Sequence, residues 1–337
     1  MNNIAIVLLA PLALLSACAK MDADDFRDGV PTRDAAELKV PGSDTTTTTG
    51  ALTATGDIAT TKSALLGERA EFYTFTRTVT AGVNGGTIFI LGLVKTITTF
   101  PPSSLKGDVA VWGPYTDPLS PNTWRLTVTR VEMDKFQYVL EARGKTEPDS
   151  ALLTILSGTH TRGVDGKGIA REGFGAGTFT LNWDNAQKLP EHDTNIGVAA
   201  FTYARPNLTD PTTIDVNFTG IKDDKTGEIH DAIYQYAATP GAGGDFQYEA
   251  MEDFTPDPGN TGTMKEKVTV HSRWKEDGAG RSDWKLAGGD LGAVEVTTNE
   301  CWDSNFASVW KAVSIPLQPT WGAESSCAFS PADYSTL

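Results

Sequence analysis

The residues of this 337-residue chain that could do chemistry are three cysteines, four histidines and a few glycine- or carboxylate-rich turns. Cys18 closes an apolar, charge-free run from Ile4 to Leu15 and follows two small residues, Ser16 and Ala17, so its thiol is placed for modification. Cys301 and Cys327 remain as an even pair. In an oxidising compartment such a pair forms a disulfide, and closing this loop stabilises a fold by roughly 3–4 kcal/mol on chain-entropy grounds. A zinc site wants about four Cys or His ligands. No second pair lies near these two, and His160, His192, His230 and His271 are scattered singly.

The remaining motifs favour architecture over catalysis. The chain has no Gly-x-Ser-x-Gly elbow, His-Glu-x-x-His helix or phosphate-binding loop. Gly173 to Gly177 leads into a strand pattern and reads as a bend. Asp223-Asp224-Lys225-Thr226-Gly227-Glu228 lacks the ligand spacing of an EF-hand and reads as a hairpin tip. Trp112-Gly113-Pro114-Tyr115 could line a sugar or peptide site, but aromatics beside Gly and Pro equally cap a core, and that reading is preferred. Nothing pairs a nucleophile with a base. The expectation is therefore a protein that is not an enzyme, with no cofactor and no metal.

The amino-terminal run is too short to cross a bilayer as a helix, which takes about 20 residues, but it matches the apolar core of a secretory signal. Leu15-Ser16-Ala17-Cys18 resembles the lipobox of bacterial lipoproteins. The resemblance covers the first eighteen residues and implies cleavage before Cys18 and acylation of that cysteine. Several acyl chains make a stable membrane anchor. Met1-Asn2-Asn3 departs from the pattern in lacking Lys or Arg. By the same resemblance Ala19, in place of Asp, implies the outer membrane, as in envelope lipoproteins of Gram-negative bacteria. The formal charge of −15 excludes a nucleic-acid partner, whose phosphates need a basic surface.

The expected organisation is a signal peptide over 1–17, a lipidated cysteine with a disordered tether over 18–62, and a single β-rich domain over 63–337 with a disulfide-tied tail. The tether reading rests on Asp22 to Asp25, Val40-Pro41-Gly42-Ser43 and the threonine run from Thr45 to Thr49. Phe72, Phe75, Val79, Val83, Ile90, Val94 and Ile97 step by three, four and seven as in an amphipathic helix ended by Pro101-Pro102. Alternating Thr74, Thr76, Thr78 and Thr80, with Asn84-Gly85-Gly86, keep a hairpin open as the other reading.

From Asp108 onward the period is two, as in Trp124, Leu126 and Val128, then Phe136, Tyr138 and Leu140, then Ile214, Val216 and Phe218. Such alternation fits antiparallel strands with one face inward. The expected fold is mainly β: a large curled antiparallel meander sheet or half-barrel with the amino-terminal helix packed on its concave face. Ser304 to Val313 reads as a short helix. Arg125, Glu141 and Lys267 on the second face argue against a membrane barrel.

Curled sheets over a helix also occur in periplasmic lipoprotein carriers, a likeness of fold without shared motifs. Two functions follow: a membrane-anchored module that binds or carries an apolar ligand, predicting a cavity lined by the apolar faces, or a structural or interaction lipoprotein with a filled core and no ligand.

Overall fold

The computed structural model describes residues 22–42, 66–164, 167, 169–222, 227–253, 264–314 and 320–337. The signal and lipobox readings, with Cys18, lie outside them. Three helices precede the sheet: α1 (Ala23–Arg27), α2 (Arg33–Ala36) and α3 (Glu71–Thr99). The first eight strands are β1 (Ser104–Lys106), β2 (Val109–Tyr115), β3 (Asn122–Glu132), β4 (Lys135–Gly144), β5 (Leu153–Val164), β6 (Ala170–Asn182), β7 (Val198–Arg205) and β8 (Thr212–Lys222). The rest are β9 (Ile229–Thr239), β10 (Gly243–Glu252), β11 (Glu266–Lys275), β12 (Gly280–Ala287), β13 (Val296–Trp302), β14 (Ser308–Val313) and β15 (Trp321–Gly322). All fifteen pair antiparallel in chain order, a single meander.

Register makes the core. Val128, Tyr138, Gly158, Phe179, Phe201, Val216, Tyr234, Tyr248, Val270 and Trp284 stand opposite one another from β3 to β12, one continuous row on the inner face. Every side chain of that row is buried. Glycine stands at 158 because a Cβ there would come within 2.0 Å of the Thr178 carbonyl and 2.8 Å of the Tyr138 hydroxyl.

Helix α3 settles the ambiguity of residues 72–100 in favour of helix. Its threonines disguise it as a strand, yet their hydroxyls donate back to carbonyls four residues earlier: Thr74 to Ala70, Thr76 to Phe72, Thr78 to Thr74, Thr87 to Val83 and Thr98 to Val94. Asn84, the start of the apparent turn, instead clamps a neighbouring segment, accepting from Leu38 N–H and donating to Leu38 C=O, both at 2.9 Å. Ala70 gives α3 no side-chain cap; the cap comes from β13, where Glu300 Oε2 accepts the Phe72 N–H at 2.7 Å.

The helix crosses the strands. Phe72 stacks on Trp284 of β12 with centroids 4.6 Å apart, Thr76 meets Ser272 of β11 at 2.8 Å, and Thr80 meets Tyr234 of β9 at 3.4 Å. At the far end Trp112 of β2 donates to the Phe100 carbonyl at 2.9 Å. Twenty-eight residues of helix rise about 42 Å, and ten strand spacings from β12 to β2 span about 48 Å laid flat. The near match corrects the expected half-barrel: the sheet lies almost flat beneath the helix, and it is open, with β1 and β15 as its two edges.

Two further corrections concern the ends. Residues 22–42 are not tether. Phe26, Val30, Ala35, Ala36, Leu38 and Val40 are buried in the same core as the sheet. A capping box between Asp22 and Asp25 starts α1, and the Tyr236 hydroxyl bonds both the N–H and the C=O of Lys39. The segment has few apolar residues, but each fills a place on the inner face, which outweighs its polar composition. Likewise Ser308 to Val313 is strand, not helix, because Trp310 pairs opposite Cys301 and extends the sheet. Beyond β15, residues 323–337 cross the outer face of the carboxyl-terminal strands, so β11 to β13 are buried on both sides.

Candidate functional site

The outer-face cluster under the carboxyl-terminal segment grows from positions that alternate with the core. Asp283 is fully buried and accepts four hydrogen bonds, from Arg281 Nε at 2.6 Å, Asn299 Nδ2 at 3.0 Å, Arg273 at 2.8 Å and the Asp333 N–H at 3.0 Å. Arg281, also buried, reaches Glu324 at 2.7 Å and the Phe329 carbonyl at 3.2 Å. Cys301 and Cys327 form the expected disulfide, their Cα atoms 5.4 Å apart, which fastens the segment over these groups. A carboxylate with all its lone pairs engaged is a fastening and has no capacity left for acid–base work.

His271 sits at the edge of this cluster, 3.7 Å from Asp245 and 3.6 Å from Asp333, with Nδ1 3.0 Å from the Asp333 carbonyl. A shallow groove opens beside it, lined by Asp245, Gln247, Arg273, Trp274 and Phe329. The Phe329 ring covers the Arg273 guanidinium at 5.2 Å.

A second polar site lies on the inner face where α1, the end of α3 and β5–β6 meet. It is a cavity of about 270 Å³ lined among others by Arg27, Thr32, Lys95, His160, Arg162 and Glu172. Arg162 is held by Asp134 at 2.7 Å and Asp25 at 3.4 Å, and Arg27 Nε donates to the Thr98 carbonyl at 2.5 Å. His160 is buried with Nδ1 2.7 Å from the Tyr203 hydroxyl. Burial, assisted by the Arg162 charge, lowers its pKa to about 4, so the ring is neutral near pH 7. The neutral imidazole lies against the Tyr203 phenol in a cavity that the Thr32 side chain also lines.

The other residues singled out in the sequence do not converge. His160, His230 and His271 fall on three separate strands, and His192 on an exposed loop. Trp112 is wholly buried while Tyr115 lies near the surface, so that motif caps the core at the end of α3. Gly175, at φ 144°, and Gly177 sit within β6 where a Cβ would strike the facing strand, so this run is strand and bend. Asp223 to Thr226 lie outside the described residues. Among the described residues no group of three or more His, Cys, Asp or Glu is arranged to hold a metal ion.

Comparison with known proteins adds no relative: no family model, no curated protein and no solved structure matches the chain.

Proposed function

We propose that the chain is an exported lipoprotein, acylated at Cys18 and held at the outer membrane, whose domain serves as a structural or interaction module of the envelope. The observation that carries the choice against a carrier is the filled inner face. Helix α3 and residues 22–42 pack directly on the aromatic row, and the described cavities lie at its margins, each open to solvent and lined in part by charged side chains such as Arg162, Arg273 and Arg205. A carrier of apolar ligands needs an apolar cavity of several hundred Å³. A disulfide between Cys301 and Cys327 agrees with export to an oxidising compartment.

Two measurements test the two halves of the reading. Labelled palmitate should enter the protein in the exporting cell and should fail to enter the Cys18→Ser variant; equal labelling refutes the anchor. Native mass spectrometry of the form beginning after Cys18, taken from an envelope extract, should give the bare chain with its disulfide. A reproducible added mass lost on organic extraction would return the carrier reading and identify its ligand class.

A further inference from the structure

The fold also bears on how such a lipoprotein would sit. Residues 22–42 belong to the core, so only three residues, Ala19 to Met21, separate Cys18 from Asp22, where the described structure begins. The four Cα–Cα steps between them reach at most about 14 Å. The entry point is fixed to one end of the sheet. Phe26 meets Phe136 at the start of β4, and Asp25 pairs with Arg162 near the end of β5. An anchor on Cys18 would therefore hold this end of the sheet close to the bilayer.

From these positions the geometry points to a membrane-facing edge: the tips of the β1–β2 and β3–β4 hairpins, with Ile169 just before β6, lie against the bilayer interface. The inference rests on the lipid-anchor reading above. In an antiparallel meander the odd-numbered hairpins all turn at this end. Three successive tips expose large apolar side chains beside α1: Leu105, then Val131 and Met133, then Ile169. Met133 is 80% exposed and Ile169 61%. Exposed apolar side chains beside an acyl anchor gain from entering the headgroup region.

Charge separates the two ends further. The tips at the α1 end carry Lys106, Arg130, Lys135, Lys167 and Arg171, of which Arg130 pairs with Asp108 and Lys135 with Glu132. The α1 aspartates are partly neutralised there, Asp24 by Arg27 and Asp25 by Arg162. At the opposite end the connections are dominated by carboxylates, including Asp184, Glu191, Asp193, Glu228, Asp253 and Asp290. Exposed apolar residues occur there as well, Leu119 at 96%, Met264 and Val294 at 60% and Ile229 at 58%, so the anchor's reach and the more acidic setting there, which anionic headgroups repel, choose between the ends. The overall charge of −15 is thus weighted away from the anchor, which orients the domain as well as keeping it soluble.

The test uses the full-length protein extracted from membranes and reconstituted in phosphatidylcholine–phosphatidylglycerol vesicles carrying brominated acyl chains. With Cys18 acylated and the other two cysteines joined, Met133→Cys, Ile169→Cys or Val294→Cys each offers one thiol for a fluorophore. All three positions are exposed, so the fold tolerates them. Bromine should quench the label at 133 and 169 by at least about twofold and leave the label at 294 unchanged. Equal quenching at all three positions, or quenching at 294 alone, overturns the orientation. Intact mass is read on the same sample. A lipid mass without quenching at 133 and 169 refutes the membrane-facing edge alone, whereas a missing lipid mass refutes the anchor and this edge with it.

Discussion

Replacing Glu300 with alanine should loosen α3 from the sheet. The carboxylate is fully buried and accepts the Phe72 N–H at 2.7 Å, at a helix start where Ala70 supplies no cap. Losing a capping acceptor costs about 1 kcal/mol, and leaving the buried Phe72 N–H and Lys311 ammonium without that partner adds about 1–3 kcal/mol. Lys311, itself buried, keeps Glu71 but loses the second carboxylate. Together these predict a loss of about 2–4 kcal/mol for Glu300→Ala.

Glu300→Gln separates the acceptor from the charge. Burial holds the Glu300 carboxyl above its ordinary value, although the Phe72 N–H and Lys311 pull the other way. A carboxyl raised in the folded state contributes its full stability below the unfolded value of 4.5 and loses it as pH rises through the folded value. Glutamine keeps an acceptor for Phe72 and has no such loss, so at pH 7 it should cost under about 1 kcal/mol. Urea unfolding of the Cys18→Ser chain, followed by far-ultraviolet circular dichroism, measures both variants. The reasoning is refuted if alanine stays within about 0.5 kcal/mol of the parent, or if glutamine falls as far as alanine.

Reducing the disulfide, or replacing Cys301 and Cys327 by serine, should cost about 3.5 kcal/mol from the 26-residue separation alone. It should also open residues 320–337 to limited proteolysis, and an unchanged digestion pattern would show that the Asp283 cluster holds them unaided. His160 sets an acid limit. Its folded pKa of about 4 lies below the ordinary 6.5, so stability is intact above pH 6.5 and declines by about 3 kcal/mol as pH falls to 4. His160→Asn should flatten that part of the stability–pH curve measured by urea titration, and a slope equal to the parent's refutes the assignment.

The sheet was legible because its inner face obeys one rule from β3 to β10. Phe136, Tyr138 and Leu140, or Ile214, Val216 and Phe218, alternate with polar partners since one side meets the helix and the other meets water. The rule weakens at β11 to β13, where Thr269, His271, Asp283 and Asn299 are buried on the second face too. The carboxyl-terminal segment that covers them has no periodicity to announce where it goes. Residues 22–42 are illegible in the sequence for the complementary reason. Each apolar side chain there fills a distant gap, so local composition resembles a linker while tertiary contacts decide otherwise.

The candidate sites show how far such reading extends. Cys301 and Cys327 could be paired from their number and compartment, because a disulfide needs only two thiols. The Asp283 cluster could not, since Asp245, Arg273, Arg281, Asn299, Glu324 and Asp333 come from five strands and connections and become neighbours only through register. The same register explains why the odd-numbered connections share one end of the sheet. Where a lipid anchor would meet this domain is therefore a property of strand order: an odd number of strands inserted before β4 would carry the end that holds Phe136 to the opposite side of the sheet. On the proposed anchor, chain order would couple the amino-terminal segment to the surface turned toward the membrane, which neither the Cys18 motif nor the alternating strands specify alone.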